Sequence, residues 1–308
     1  QTTYYKPAVG YVGDPMPFYD PKAKDFKVLY LQDFRPNQAG TYHPIWAVET
    51  KDAASYQSLG ELIHCGGINE QDAALGTGST VYNEADGLYY TFYTGHRYQP
   101  TAADNGEMVM MATSADFKTW TKNRTFRLKG DDYGYSKNDF RDPFVFRGDD
   151  NLWHMLVATQ QGSKGHLAEF TSPDLRQWTS AGTFMTMMWD RFYECPDVFK
   201  MGDWWYLVYS EKHAAIRKVQ YFKGKTLDEL KPAPGTMPVC GPTATRASST
   251  AVPSTPARPP ATVRTVTSGA GVLPVQARTI RLSVLLLTNL NGRAILSSTV
   301  LSSTLTAR

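Results

Sequence analysis

The stretch FRDPFVFRGDDNLWHMLVAT, residues 140–159, decides how the chain is read: an aromatic strand signal, a tight polar turn from Gly148 to Asp150, then a second strand rich in aromatic and apolar residues. Working outward, the same pattern recurs three times. On the N-terminal side stand GSTVYNEADGLYYTFYTG (78–95), turning at Asp86-Gly87, and DPMPFYD (14–20), which turns between Pro21 and Asp25 into FKVLYLQDF (26–34). On the C-terminal side stands PDVFKMGDWWYLVYSE (196–211), turning at Gly202-Asp203. Copies begin roughly 55 to 65 residues apart, a period at which propellers and other arrays occur.

Further short strands lie between copies, and two end in a shared phrase, MATSADFKTW (111–120) and EFTSPDLRQW (169–178). Ser114 with Asp116, and Ser172 with Asp174, are suited to a side-chain-to-backbone turn with Trp120 or Trp178 packed beneath it. Helical periodicity is nearly absent; only TLDELK (226–231) reads as a single helical turn. Several short strands per unit, repeated about an axis, favour an all-β propeller over a sandwich.

The 308 residues suffice for one large all-β domain or two ordinary ones, and 13% aromatic content supplies a sizeable core. No apolar run is long enough to span a bilayer. The polar start has no signal-peptide character, and Gln1 in place of Met points to a processed or trimmed N-terminus. Cys65, Cys195 and Cys240 form neither a disulfide framework nor a metal-ligand spacing, and His43, His64, His96 and His154 are scattered, so no metal and no cofactor are expected. The net charge of +3 does not imply nucleic acid, because seven of the 32 basic residues are arginines beyond residue 240, in a segment without acids; the 25 left face 29 acids. Asn123-Arg124-Thr125 matches a glycosylation acceptor, a motif common by chance.

Residues 239–308 differ in kind from residues 1–238: Ser, Thr, Ala, Pro and Arg dominate, and Phe, Tyr and Trp vanish. A disordered mucin-like linker is one reading. The other is translation out of frame. VTSGAGVLPVQA (266–277) can be encoded by bases that, read two positions later, give YIWGWCPTRA, and the same shift across residues 248–260 permits FLDSRAFYAGKT. Both phrases are aromatic and strand-like, in a single register, so the frame is expected to slip between Pro238 and Ala247.

In a propeller the innermost strand of each blade lines the central channel, so acids distant in sequence converge at one mouth. Asp14 and Asp142 each open an inner-strand signal as Asp-Pro, and Glu194 precedes the fourth. Around them the chain reads VGDPMPFY (12–19), FRDPFVF (140–146) and YECPDVF (193–199). In these motifs, their order and separation, residues 9 to 238 resemble glycoside hydrolase family 32, the invertases, inulinases and levanases. The resemblance implies a five-bladed β-propeller, of which about four blades are encoded here, the out-of-frame tail standing where the fifth belongs.

It also implies a retaining glycosidase without cofactor. Asp14 would be the nucleophile, Asp142 the transition-state stabiliser and Glu194 the general acid/base, with two carboxyls about 5 to 5.5 Å apart. Gln32 in LYLQDF, Trp46, and Thr77 and Ser79 of GTGS match family residues that line the sugar site; Arg141 would accompany Asp142, and Cys195 would tune Glu194. The first motif departs from the family, with Gly13 and Met16 where asparagines usually flank Asp-Pro, and this opens the choice of sugar. Taken singly, Asp14 reads as turn chemistry, Arg141-Asp142 as a structural ion pair and Glu194, near Trp189, as a solvated edge residue; together the three favour catalysis. Of the tryptophans, Trp204 or Trp205 reads as core and Trp46 as site.

The expected substrate is levan, inulin, a smaller fructo-oligosaccharide or sucrose, met outside the cytoplasm (secreted, periplasmic or cell-surface) when it is a polymer. One rival keeps the fold and acts on arabinan or xylan; the other is a non-catalytic carbohydrate-binding propeller. The four-bladed form, with open strand edges, is expected to be poorly soluble or inactive. The oligomeric state stays open.

Overall fold

A computed structural model of the chain describes residues 5–33, 42–186, 192–213, 216–231, 278–290 and 293–305. The described residues are nearly all β, in four consecutive antiparallel meanders. Blade one is β1 (Tyr11–Asp20), β2 (Asp25–Asp33), β3 (Ile45–Thr50) and β4 (Gln57–Ile63); blade two is β5 (Ala74–Asn83), β6 (Leu88–His96), β7 (Glu107–Ser114) and the short β8 (Thr121–Lys122). Blade three is β9 (Phe140–Arg147), β10 (Trp153–Gln161), β11 (Lys164–Ser172) and β12 (Thr179–Thr186), and blade four is β13 (Phe192–Met201), β14 (Trp204–His213) and β15 (Ile216–Gly224). Each turn falls where the repeat pattern puts it. The first strands β1, β5, β9 and β13 touch in sequence, which gives the four blades a propeller arrangement around those strands.

Strand alternation explains why the second strand of each blade is apolar on both faces: each face packs on a different neighbour. In β2, Leu29 and Leu31 point to blade two and join Ile45, Leu75, Tyr89, Tyr93 and Met110. In β6, Tyr90 and Phe92 turn the other way and meet Phe140, Val145, Met155 and Phe170 of blade three. In β10, Leu156 and Ala158 continue the series against Tyr193, Trp205, Leu207 and Tyr209 of blade four. Trp205 is thus the expected core tryptophan, while Trp204 lies outside under Lys223 and Lys225. The outer face of blade one carries a separate cluster of Val28, Tyr30 and Val48.

The shared phrase forms the expected turn. Asp116 Oδ1 accepts the N–H groups of Lys118 and Thr119, both at 2.8 Å, and the Trp120 indole N–H donates to Phe117 O at 3.1 Å. Asp174 and Trp178 repeat it, and these exposed turns hold both acids below the usual carboxylate range, chiefly through backbone N–H bonds. Blade one has a third copy, unrecognised in sequence because its letters drift: Thr50, Asp52 and Tyr56 stand at the same spacing, with the Asp52 carboxylate on the N–H groups of Ala54 and Ser55. Ala53, Phe117 and Leu175 occupy the left-handed region at φ 55, 64 and 66°. TLDELK is a single 3-10 turn at Asp228–Leu230.

Beyond blade four, β16 (Arg278–Leu290) and β17 (Arg293–Leu305) form a two-stranded antiparallel ribbon, β16 near β1 and β17 near β15. The domain boundary at residue 238, the frame-slip reading of residues 248–277, Cys240 and Trp189 lie outside the described residues. No helix among the described residues is long and apolar enough to cross a membrane.

Candidate active site

A β-bulge interrupts every first strand at the same level. Register shifts fall between Gly13 and Met16 in β1, between Gly76 and Gly78 in β5, across Arg141 to Phe144 in β9, and between Glu194 and Asp197 in β13. Three of the bulges hold a non-glycine residue in the left-handed region: Asp14 at φ 41°, Asp142 at 56° and Cys195 at 51°. Each precedes a proline, which disfavours helical backbone at the residue before it, so each conformation costs on the order of 1–3 kcal/mol. Bulges re-aim side chains, and here those of Asp142 and Cys195 meet, while that of Asp14 meets Thr77. The strands therefore align as Gly13-Asp14-Pro15, Arg141-Asp142-Pro143 and Glu194-Cys195-Pro196, with Glu194 in the place of Arg141 and Cys195 in the place of the aspartates.

Hydrogen bonds link the bulges into one constellation. The Thr77 hydroxyl donates to Asp14 Oδ2 at 3.1 Å. The Thr94 hydroxyl donates to Thr77 O and accepts the Asp142 N–H, both at 2.9 Å. Asp142 Oδ2 accepts the Cys195 N–H at 2.9 Å and faces its Sγ at 3.3 Å. Asp142 and Glu194 are buried; Asp14 is partly open.

Arg141 sits among the acids. Its Nη2 donates to Glu194 Oε1 at 3.3 Å, and its Nη1 donates to Asp139 Oδ1 and Glu107 Oε2, both at 3.0 Å. Burial opposes the charge, but the carboxylates of Glu107, Asp142 and Glu194 outweigh it and hold the guanidinium above its ordinary pKa. Burial likewise pushes the Glu107 carboxyl up, and the His96 hydrogen bond with the Arg141 charge reverses this, leaving it below the usual range.

Asp14, Thr77, Arg141, Asp142, Glu194 and Cys195 are thus together, and burial removes Glu194 from the solvated-edge reading. Among the described residues, the expected sugar contacts Ser79, Gln32 and Trp46 are not part of this hydrogen-bonded run. Ser79 is buried with its hydroxyl spent between strands, donating to Pro143 O at 3.0 Å and accepting the Val145 N–H at 2.8 Å, so it ties blade two to blade three. Gln32 is buried and donates through Nε2 to Val9 O. Trp46 packs on the outer face of blade one, its indole N–H buried without a hydrogen-bond partner among the described residues. Cys195, expected to tune Glu194, directs its amide and thiol to Asp142.

Sequence reading missed Thr94 and Glu107. Thr94 closes a strand signal and has no motif of its own; Glu107 opens β7 with only a charge to mark it. His154 is buried between Glu169 and Asp150, and among the described residues no group of three or more His, Cys, Asp or Glu is gathered to hold a metal.

Residues 4–235 match the family model for the glycosyl hydrolases family 32 N-terminal domain. A sucrose-6-phosphate hydrolase of Escherichia coli is 30% identical over 154 residues, covering 47% of this chain and 30% of that protein. A second, of Staphylococcus xylosus, is 23% identical over 209 residues, covering 66% of this chain and 40% of that protein. Among solved structures, the fructofuranosidase of Schwanniomyces occidentalis complexed with fructose superposes with a TM-score of 0.58 at 22% identity, over 75% of this chain and 47% of that one. An exo-β-1,3-galactanase of Clostridium thermocellum gives 0.52 at 16% identity, over 71% and 47%. The chain thus spans less than half the length of each of these relatives.

Proposed function

We propose, from the premise that this chain belongs to glycosyl hydrolases family 32, that it is a retaining glycosidase of β-fructosidic bonds. The observation that carries the reading is the hydrogen-bonded run from Asp14 through Thr77 and Thr94 to Asp142 and Cys195, which joins four first strands at one level. Asp14 attacks the anomeric carbon as the bond to the leaving oxygen breaks, and Glu194 gives that oxygen its proton. Glu194 then takes a proton from water, whose oxygen displaces Asp14 and restores the original configuration. Asp142, fixed by Cys195, binds sugar hydroxyls most tightly as the ring flattens toward the oxocarbenium-like transition state.

Levan, inulin, fructo-oligosaccharides and sucrose are the proposed substrates, with a secreted, periplasmic or cell-surface location for a polymer. Relatives named sucrose-6-phosphate hydrolase and fructan 6-exohydrolase support both a short and a polymeric substrate. Incubation with sucrose, sucrose 6-phosphate, levan and inulin should release fructose, initially as the β-anomer by NMR; the α-anomer would remove retention. One observation favours a second reading. Met16, where the family carries an asparagine, is buried and takes the Gly78 N–H on its sulfur at 3.1 Å, and Gly13 offers no side chain, so the nucleophile lacks two flanking amides. Arabinose from arabinan, without fructose from any fructan, would replace the proposed sugar with this one. Glycan binding without turnover would make the propeller a binding module.

The same reading makes residues 239–308 an out-of-frame translation of the fifth blade and this 308-residue form inactive or poorly soluble. Resequencing the gene is expected to show a single-base insertion or deletion between the codons of Pro238 and Ala247. An uninterrupted frame encoding the tail, or a monodisperse and hydrolytically competent preparation of the chain as written, contradicts it.

A further inference from the structure

Glu107 has no part in the chemistry above, yet it meets the Arg141 side of the mouth from another blade. Its side chain is 12% exposed, and its carboxylate gathers three donors: Phe140 N–H to Oε2 at 2.9 Å, Arg141 Nη1 to Oε2 at 3.0 Å and to Oε1 at 3.3 Å, and His96 Nδ1 to Oε1 at 3.3 Å. His96 is itself backed by Gly76; a Cβ there would run into the imidazole and come within 2.9 Å of Thr94 Cβ. Glu107 thus ties β6 and β7 of blade two to the residue pair that opens β9 in blade three.

Arg141 carries a planar fork that pairs two-point with a carboxylate when nothing else holds it. Here the fork is divided. Nη1 serves Glu107 and Asp139 while Nη2 reaches Glu194 at 3.3 Å, and the guanidinium lies over the Phe192 ring at 4.2 Å, so its easiest motion is a swing in its own plane. We propose that Glu107 is a positioning residue, whose carboxylate holds Arg141 back from a two-point pairing with Glu194 and so leaves Glu194 able to pass a proton. This rests on the glycosidase reading given above. Gln at position 107 keeps the size and one acceptor for the Phe140 N–H but removes the charge that Arg141 leans on.

The test compares Glu107→Gln and Glu107→Asp with the parent, all in a chain whose frame is restored beyond residue 238, on sucrose and on fructofuranosyl fluoride, whose leaving group needs no proton. Glu107→Gln should lose about a hundredfold in kcat on sucrose with KM within about twofold, and less than about tenfold on the fluoride. Glu107→Asp, which restores the charge, should recover part of the sucrose rate. Equal losses on both substrates, or a Glu107→Asp no better than Glu107→Gln, would mark a structural residue and overturn the proposal. A crystal structure of Glu107→Gln gives a readout without turnover: Arg141 paired through both nitrogens to Glu194 supports the proposal, and Arg141 in its present place overturns it. An inactive frame-restored parent whose Glu107→Gln variant shows the swing would end the glycosidase reading and leave the positioning role standing.

Discussion

Asp14→Asn, made in a chain whose frame is restored beyond residue 238, is expected to lower hydrolysis by about 10⁴-fold or more while glycan affinity and folding stay near those of the parent. Asn matches Asp in size and can still accept the Thr77 hydroxyl, so the link to blade two survives the change. What it loses, on the proposed mechanism, is the carboxylate oxygen that bonds to the anomeric carbon, and the neighbouring Asp142 is committed through Oδ2 to Cys195. Glu194→Gln should lose about 10²–10⁴-fold, since proton transfer is one contribution among several. Rates on sucrose or levan, set beside glycan binding by calorimetry, separate the two effects. Turnover surviving both substitutions would remove these acids from the mechanism.

Much of this arrangement is legible in the letters. Tight turns announce themselves through Gly, Asp and Asn, and Asp86-Gly87 and Gly202-Asp203 stand where hairpins close. The repeat of such hairpins tells blade from sandwich, and the acids opening the first strands could be found because Asp-Pro recurs. What stays hidden is that the third motif, legible through its Glu-Cys pair, shares the backbone of the other two. Glu194-Cys195-Pro196 shares backbone geometry with Arg141-Asp142-Pro143, but the side chain in the aspartate's place is a thiol, and a bulge tolerates that exchange while a letter match does not. Ser79 illustrates the opposite case: its polarity is real, but its hydroxyl is engaged between strands of blades two and three, a pairing that no local pattern shows. Glu107 and Thr94 act across blades, between strands whose adjacency no local pattern encodes.

Gly78→Ala should be the most damaging conservative change in the described blades, lowering stability by more than about 3 kcal/mol. The cause is space. A Cβ at Gly78 would fall inside the contact radius of the Phe92 carbonyl oxygen, 2.7 Å from Tyr93 Cα and 2.8 Å from the Phe92 carbonyl carbon. All three are backbone atoms of β6, so no rotamer change relieves the clash and the strands must part. Gly182 is the control: it has φ +92° and nothing within 4 Å of a built Cβ, so Gly182→Ala meets only conformational strain, on the order of 1–2 kcal/mol. Parting β5 from β6 would also carry Thr77 away from Asp14 and loosen the Gly78 N–H on Met16, so any Gly78→Ala protein that still folds should lose activity beyond its loss of stability. Urea unfolding of the two variants decides the matter: if Gly78→Ala is no less stable than Gly182→Ala, the close approach of β5 to β6 is not what holds the bulge, and the account of how Thr77 reaches Asp14 fails with it.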